Sequence, residues 1–172
     1  MSQQTQNLMK KISLAKIVLN MGVGKSGEPI EIGEKTLGQI TGKKPNARNA
    51  KKSQRDWGVR KGEPIGIAVT VRGNDATELL KKLLVVKDNQ IAEKAFDNEG
   101  NLSFGIREHI DIPGIKYDPK IGILGLEVSI SLARPGFNIK FNKSKAKVGK
   151  NHRITKNDAI KFLTEEFGVK VV

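Results

Sequence analysis

The run Gly22-Val23-Gly24-Lys25-Ser26-Gly27 follows an alternating apolar segment and invites a phosphate-loop reading, in which backbone N–H groups and a lysine cradle phosphate. The spacing fails. The first glycine of such a loop would fall at Leu19, inside the apolar segment, and Pro29 interrupts the helix that should begin after Ser26. These glycines read as a tight turn. Neither His109 nor His152 has a second His or Cys at metal-ligand spacing, so no metal site is expected. Glu108 and Asp111 flank His109 and could tune a general base, but no nucleophile or second acid accompanies them. His109 is therefore expected to be a hydrogen-bonded structural residue, and His152-Arg153 to touch phosphate or solvent. No catalytic residue is assigned, no enzyme is expected and no cofactor is called for.

A different chemistry is legible in KKPNARNAKKSQRDWGVRKGEP, which starts at Lys43 and holds the sole tryptophan, Trp57, beside Arg55 and Arg60. Basic residues interleaved with an aromatic suit RNA, with charge for the backbone and a flat group for stacking. RNA contact by this loop is expected. Trp57 itself is read as a hydrophobic anchor folded back on the body, in preference to a stacking residue.

The charge distribution points the same way. The 172 residues carry 31 Lys and Arg against 18 Asp and Glu, a net +13. Lys43 to Lys61 carries +7 and Arg134 to Lys156 carries +8, which leaves the rest at −2. A nearly neutral body with cations confined to two loop-rich segments, about 43–61 and 134–156, looks like an electrostatic footprint for a polyanion. There is no cysteine, which excludes disulfides and thiolate chemistry. The first residues lack the apolar core of a secretory signal, and no stretch approaches the roughly 20 apolar residues that span a bilayer. A soluble intracellular protein with no membrane partner is expected.

Alternating residues predict the strands that must position these loops. Ala15, Ile17, Leu19 and Met21 alternate with Lys16, Val18 and Asn20; Ile65, Ile67, Val69 and Val71 alternate with Gly66, Ala68, Thr70 and Arg72. Leu124, Leu126, Val128, Ile130 and Leu132 form a third strand, and after the Pro135-Gly136 turn Phe137, Ile139 and Phe141 are expected to begin its antiparallel partner. FDNEGNLSFG reads as a short hairpin or loop. Helical stripes run through Ile30, Gly33, Leu37 and Ile40 to a stop at Gly42, and through Ala76, Leu79, Leu80, Leu83 and Leu84 with Asp75 as N-cap. A third uses Ile160, Leu163 and Phe167, opened by Thr155 with Asp158 and closed by Gly168. The fold class expected is α+β in a single domain: a mostly antiparallel sheet with helices on one face, a two-layer sandwich. The opposite face would carry Asn20, Ala68, Thr70, Arg72, Ser129 and Ser131, which are small, polar or basic. Such a face could receive a polar ligand or simply be solvated.

KIVLNMGVG, LGQITGKKPNARNAKKS, VRKGEPIGIAVTVRG and FGIREHIDIPGIKYDPKIGILGLEVSISLARPGF, in this order, resemble the ribosomal protein L-five family over most of Lys16 to Phe137. EHIDIPGIKYDP, RPGF and HRI are similar to its archaeal and eukaryotic branch, and the short ends suggest the archaeal type. The resemblance implies a non-catalytic, cytoplasmic constituent of the large ribosomal subunit that binds 5S rRNA and helps attach it in the central protuberance. It also implies contact with large-subunit rRNA, P-site tRNA, a neighbouring 5S-binding ribosomal protein and, through an intersubunit bridge, the small-subunit head protein of the S-thirteen family. Asn20, Gly22, Lys43, Thr70 and Arg72 are the implied 5S rRNA contacts, with Lys43 standing where the family often has Gln and so favouring phosphate over a base. The loop with Arg48, Lys51, Lys52 and Arg55 is expected to be flexible in the free protein and to project toward tRNA. Lys140, Lys143, Lys145, Lys147, Lys150 and Arg153 are expected at rRNA phosphates.

Overall fold

The structure is a computed structural model that describes residues 7–24, 27–115, 123–142 and 147–172. Lys143 and Lys145, expected at phosphates, and Lys25 of the glycine-rich run lie outside the described residues.

Five strands form the main sheet: β1 (Ser13–Gly22), β2 (Asn46–Asn49), β3 (Pro64–Val71), β5 (Leu102–Ile106) and β6 (Leu126–Ala133), in the spatial order β2-β3-β1-β6-β5. All four pairings are antiparallel. A two-stranded parallel ladder joins β4 (Gln90–Ile91) to β7 (Lys170–Val171). The helices are α1 (Glu28–Thr41), α2 (Asn74–Val85) and α3 (Lys156–Phe167).

Alternation along the central strands decides the layering. Ile17, Leu19 and Met21 of β1 are 0% exposed and join one buried cluster with Ile67, Val69 and Val71 of β3 and Val128, Ile130 and Leu132 of β6. Ile30 and Leu37 of α1, Leu79, Leu80, Leu83 and Leu84 of α2, and Ala159 and Leu163 of α3 close the same cluster. All three helices thus cover one face of the sheet, giving the expected two-layer α+β sandwich. Gly33 belongs to the α1 stripe because the helix rides so close to the sheet that a Cβ there would lie 2.6 Å from Ile67 Cδ1. Gly42 and Gly168 end α1 and α3 in the left-handed conformation, at φ +64° and +66°, a geometry glycine adopts without a Cβ penalty. Thr155 and Asp158 form both halves of the capping box on α3.

Several expectations need correction. The register of β1 shifts between Leu14 and Lys16, so Leu14, opposite Leu132, packs against the core and Ala15 is the extra residue of the bulge. The N-cap of α2 is Gly73, not Asp75, and it makes no side-chain cap bond. Residues Phe137–Phe141 form a 3-10 turn and not a strand, because the partner position beside β6 is filled by β5. That strand comes from the second half of FDNEGNLSFG. Asp97 holds the preceding turn, its Oδ1 accepting from the N–H of Glu99 at 2.9 Å and of Asn101 at 2.7 Å. The first basic segment is likewise not all loop: Asn46–Asn49 pairs with β3 as an edge strand. Ala68, assigned to the open face, does lie there but is only 4% exposed, between the longer side chains of Asn20 and Asn46.

Replacing Thr155 by Ala removes the cap that starts α3 and should destabilise the protein by about 1 kcal/mol, read as a lowered denaturation midpoint with unchanged m-value. A change below a third of that would show that α3 is held by packing alone.

Candidate nucleic-acid interface

The helix-free face is organised in cross-strand rows. Gly105, Glu127, Asn20, Ala68 and Asn46 align across β5, β6, β1, β3 and β2, and Ser103, Ser129, Val18 and Thr70 align in the next row. On the other side of Asn20, Gly22, Gly66 and Arg48 form a row. Lys16 pairs with Ser131, and Arg72 follows Val71 at the end of β3. Apart from Val18 the face is small, hydroxylated, amide-bearing or cationic. Asn20 and Thr70, two of the expected contacts, sit on adjacent rows of neighbouring strands, with Gly22 exposed nearby on β1 and Arg72 exposed just beyond the end of β3.

One acid breaks the pattern. Glu127 is exposed on this face and its Oε2 accepts from Asn20 Nδ2 at 3.3 Å. The partner fixes which way the amide points, since an amide oxygen facing a carboxylate would be repelled. The alternation that places Ser129 and Ser131 on the open face places Glu127 there as well. Sequence reading missed its role because a lone glutamate in a strand carries no motif.

Lys43 stands apart from the other expected contacts. Its Nζ lies 2.8 Å from Asp75 Oδ2, tying the end of α1 to the first turn of α2. The hydrogen bond from Lys43, reinforced by its positive charge, holds the Asp75 carboxyl below its ordinary value. A depressed carboxylate keeps the pair intact above the usual Asp range and loses it only as pH falls through the lowered value. At neutral pH, then, a phosphate must compete with Asp75 for Lys43.

The first basic segment leaves β2 and folds back on itself, with Gln54 and Val59 bridged in antiparallel fashion and Ala50 buried at the base. Arg48, Lys51, Lys52 and Arg55 are all exposed. Trp57, expected to anchor the loop, is 79% exposed at its tip. The correction has a local cause: the 3-10 turn Arg55–Trp57 ends at Gly58 in the left-handed conformation, and the ring stays clear of the body.

The second basic segment is split between structure and surface. Arg134 donates to the carbonyls of His152 and Arg153 and, at 3.1 Å, to Asp158, fastening the segment to the start of α3. Lys156 pairs with Glu93 and Lys140 with Glu99. His152, expected at phosphate or solvent, is half-buried: its Nε2 donates to the Pro135 carbonyl at 2.8 Å and its ring meets Phe137 edge-on. Lys147, Lys150 and Arg153 remain exposed, with Arg153 Nε also donating to the Val148 carbonyl at 3.3 Å. His109 is 1% exposed, and its Nδ1 accepts from the Leu124 N–H while its backbone N–H donates to the Leu124 carbonyl, a structural role as expected. Among the described residues no group of His, Asp or Glu is placed to hold a metal, and no helix is long and apolar enough to cross a membrane.

Two family models match the chain, one described as ribosomal protein L5 over residues 7–60 and one as the C-terminus of the same ribosomal family over residues 64–162. Among similar proteins, the large ribosomal subunit protein uL5 of Nitrosopumilus maritimus is 65% identical, covering 99% of both chains. The uL5 of Cenarchaeum symbiosum is 58% identical over 95% of this chain and 98% of its own. That of Sulfolobus acidocaldarius is 44% identical over 97% and 94%.

Two outcomes are expected from these placements. Trp57→Ala should change stability by less than about 0.5 kcal/mol, as for other exposed positions free of packing, in a denaturant titration. Asp75→Asn should release Lys43, so that the slope of log affinity against log salt for RNA steepens by about 0.7 to 0.9. An unchanged slope would place Lys43 outside the RNA contact.

Proposed function

The chain belongs to the ribosomal protein L5 family, archaeal type, and from that premise we propose that its helix-free sheet face binds 5S rRNA and helps hold it in the central protuberance. As a member of that family it is a structural, non-enzymatic constituent of the large ribosomal subunit in the cytoplasm. The observation that carries the finer proposal is the row structure of the open face. Small residues let an RNA backbone approach the strands closely, while Asn20 and Thr70 offer hydrogen bonds and Arg72 offers charge at the margin. A-form RNA presents a shallow minor groove with 2′-hydroxyls, and amide and hydroxyl side chains on a flat sheet suit it.

The two basic segments have separate tasks in this proposal. Arg48 lies on the edge strand β2, and Lys51, Lys52 and Arg55 lie on the excursion beyond it, away from the sheet centre; in this reading the group serves P-site tRNA. The bridge to the small-subunit head protein of the S-thirteen family and the contact with a neighbouring 5S-binding protein are assigned to the same assembled state. Lys147, Lys150 and Arg153 contact rRNA phosphates. Lys140 can join them only by leaving Glu99, from which its Nζ is 3.5 Å.

Purified protein should prefer 5S rRNA to tRNA and to random duplex at near-physiological salt; equal affinity for all three would leave only a basic protein. Asn20→Ala and Thr70→Ala should each weaken 5S binding by about 0.5 to 2 kcal/mol. Neutralising Lys147, Lys150 and Arg153 should flatten the salt slope by about 0.7 to 0.9 for each phosphate set free. Neutralising Arg48, Lys51, Lys52 and Arg55 should leave that slope nearly intact and impair translation by assembled ribosomes. A slope carried mainly by the first loop would reverse the assignment of the two segments.

A further inference from the structure

At one end of the open face a recess of about 490 Å3 lies among Asn20, Gly22, Lys87, Gly105, Arg107 and Glu127. Two of its glycines have no structural reason to be glycine. Gly22 and Gly105 sit in strands without a positive φ, and a Cβ at either would meet nothing within 4 Å. Glycine inside a strand sacrifices stability through backbone entropy and missing side-chain packing. Bare backbone of this kind suits the close approach of another molecule. Gly125, which also lines the recess, differs: a Cβ there would press on the Arg107 carbonyl at 3.3 Å.

Glu127 stands in the wall, between Gly105 and Asn20 in the same cross-strand row. Among the described residues no cation lies within ion-pair distance of it, and Asn20 is its hydrogen-bond partner. A bare carboxylate on a surface that receives a polyanion is repulsive unless it meets hydrogen-bond donors. The four bases differ sharply in what they offer. Guanine presents two parallel donors on its Watson–Crick edge, N1–H and N2–H, which match the two oxygens of a carboxylate. Adenine and cytosine set one amino donor beside a ring nitrogen that accepts, and uracil sets one N–H between two carbonyls, so each would leave lone pairs facing the second oxygen. The carboxylate has acceptor capacity left after the Asn20 bond. Lys87 and Arg107 line the same recess and have no ion-pair partner among the described residues.

We propose that this recess takes a single unpaired guanine of the bound RNA, with its Watson–Crick edge on Glu127 and its flanking phosphates on Lys87 and Arg107. The inference rests on the open face being the RNA surface, and it adds a specificity determinant to it. Glu127 reads the base, Asn20 orients the carboxylate, and the absent side chains of Gly22 and Gly105 admit the ring.

The test uses the full chain and 5S rRNA transcripts in which each unpaired guanine in turn is replaced by adenine. One replacement should weaken binding to the unaltered protein about tenfold or more, the size of one bidentate base contact. Against Glu127→Ala the same replacement should cause no further loss. Gly105→Val fills open space and suits a strand, so it should keep the melting temperature while weakening the RNA carrying that guanine. If every replacement acts alike on the unaltered protein and on Glu127→Ala, the guanine contact is wrong. It is equally wrong if Glu127→Ala binds as well as or better than the unaltered protein, or if its loss follows magnesium concentration and not the base. A protein that prefers 5S rRNA yet shows no such coupling loses only this inference; one with no preference for 5S rRNA loses the parent reading as well.

Discussion

Strand β1 has to satisfy two opposite surroundings along ten residues, and the other elements are arranged around that constraint. Its odd-numbered residues from Ile17 to Met21 are wholly buried under the helices, while Lys16, Val18 and Asn20 face the uncovered side. Because side chains in a strand alternate, a one-residue slip would exchange the two sets and place a lysine and an asparagine in the core. The bulge at Ala15 permits such a change in register just once, at the outer end, where it costs little and brings Leu14 inward. Antiparallel partners on both sides, β3 and β6, then copy the same inside–outside division across the sheet.

One-sided coverage has a chemical consequence. Covering the second face would require apolar residues there, and a face left bare must instead hold groups that water or a polar partner can satisfy. The rows of Gly, Ala, Ser, Thr and Asn meet that condition while keeping the surface low enough for a backbone to lie against it. Positive charge is kept to the margins, on Lys16, Arg48 and Arg72, and in the two basic segments. Glu127 is the exception, and its position beside Asn20 makes it chemically directional, where the basic margin is only attractive.

The cations themselves divide by what they touch. Arg134, Lys140, Lys156 and Lys43 are each held by an acid of the fold, so part of the strong positive balance acts within the protein. Arg134 shows this most clearly, joining the turn after β6 to the cap of α3 through Asp158, which also accepts from the Thr155 N–H. In the proposed function, the remaining exposed cations in the two segments form the electrostatic surface offered to RNA.

Periodicity and capping chemistry are local, and what they govern was legible in the sequence: the core faces of β1, β3 and β6, the stripes of all three helices, the capping box at Thr155, and Asn20 and Thr70 on a shared open face. The family blocks were also local strings and led to the L5 family directly. Edge strands were legible only in part: FDNEGNLSFG read as a hairpin or loop, and Phe96 does bridge Leu102, but neither β2 nor the pairing of β5 with β6 was foreseen. β2 and β5 each pair on one side only, are short, and have few buried residues, so their existence depends on a partner strand distant in sequence. The same dependence moved Phe137–Phe141 from an imagined hairpin into a 3-10 turn, once β5 occupied the place beside β6. Trp57 left its expected anchored environment for a similar reason, since whether a ring finds a pocket is decided by what the rest of the chain brings near it. Lys43 with Asp75, and Glu127 with Asn20, are contacts between residues more than thirty positions apart, and only the tertiary structure could bring their charges and donors together.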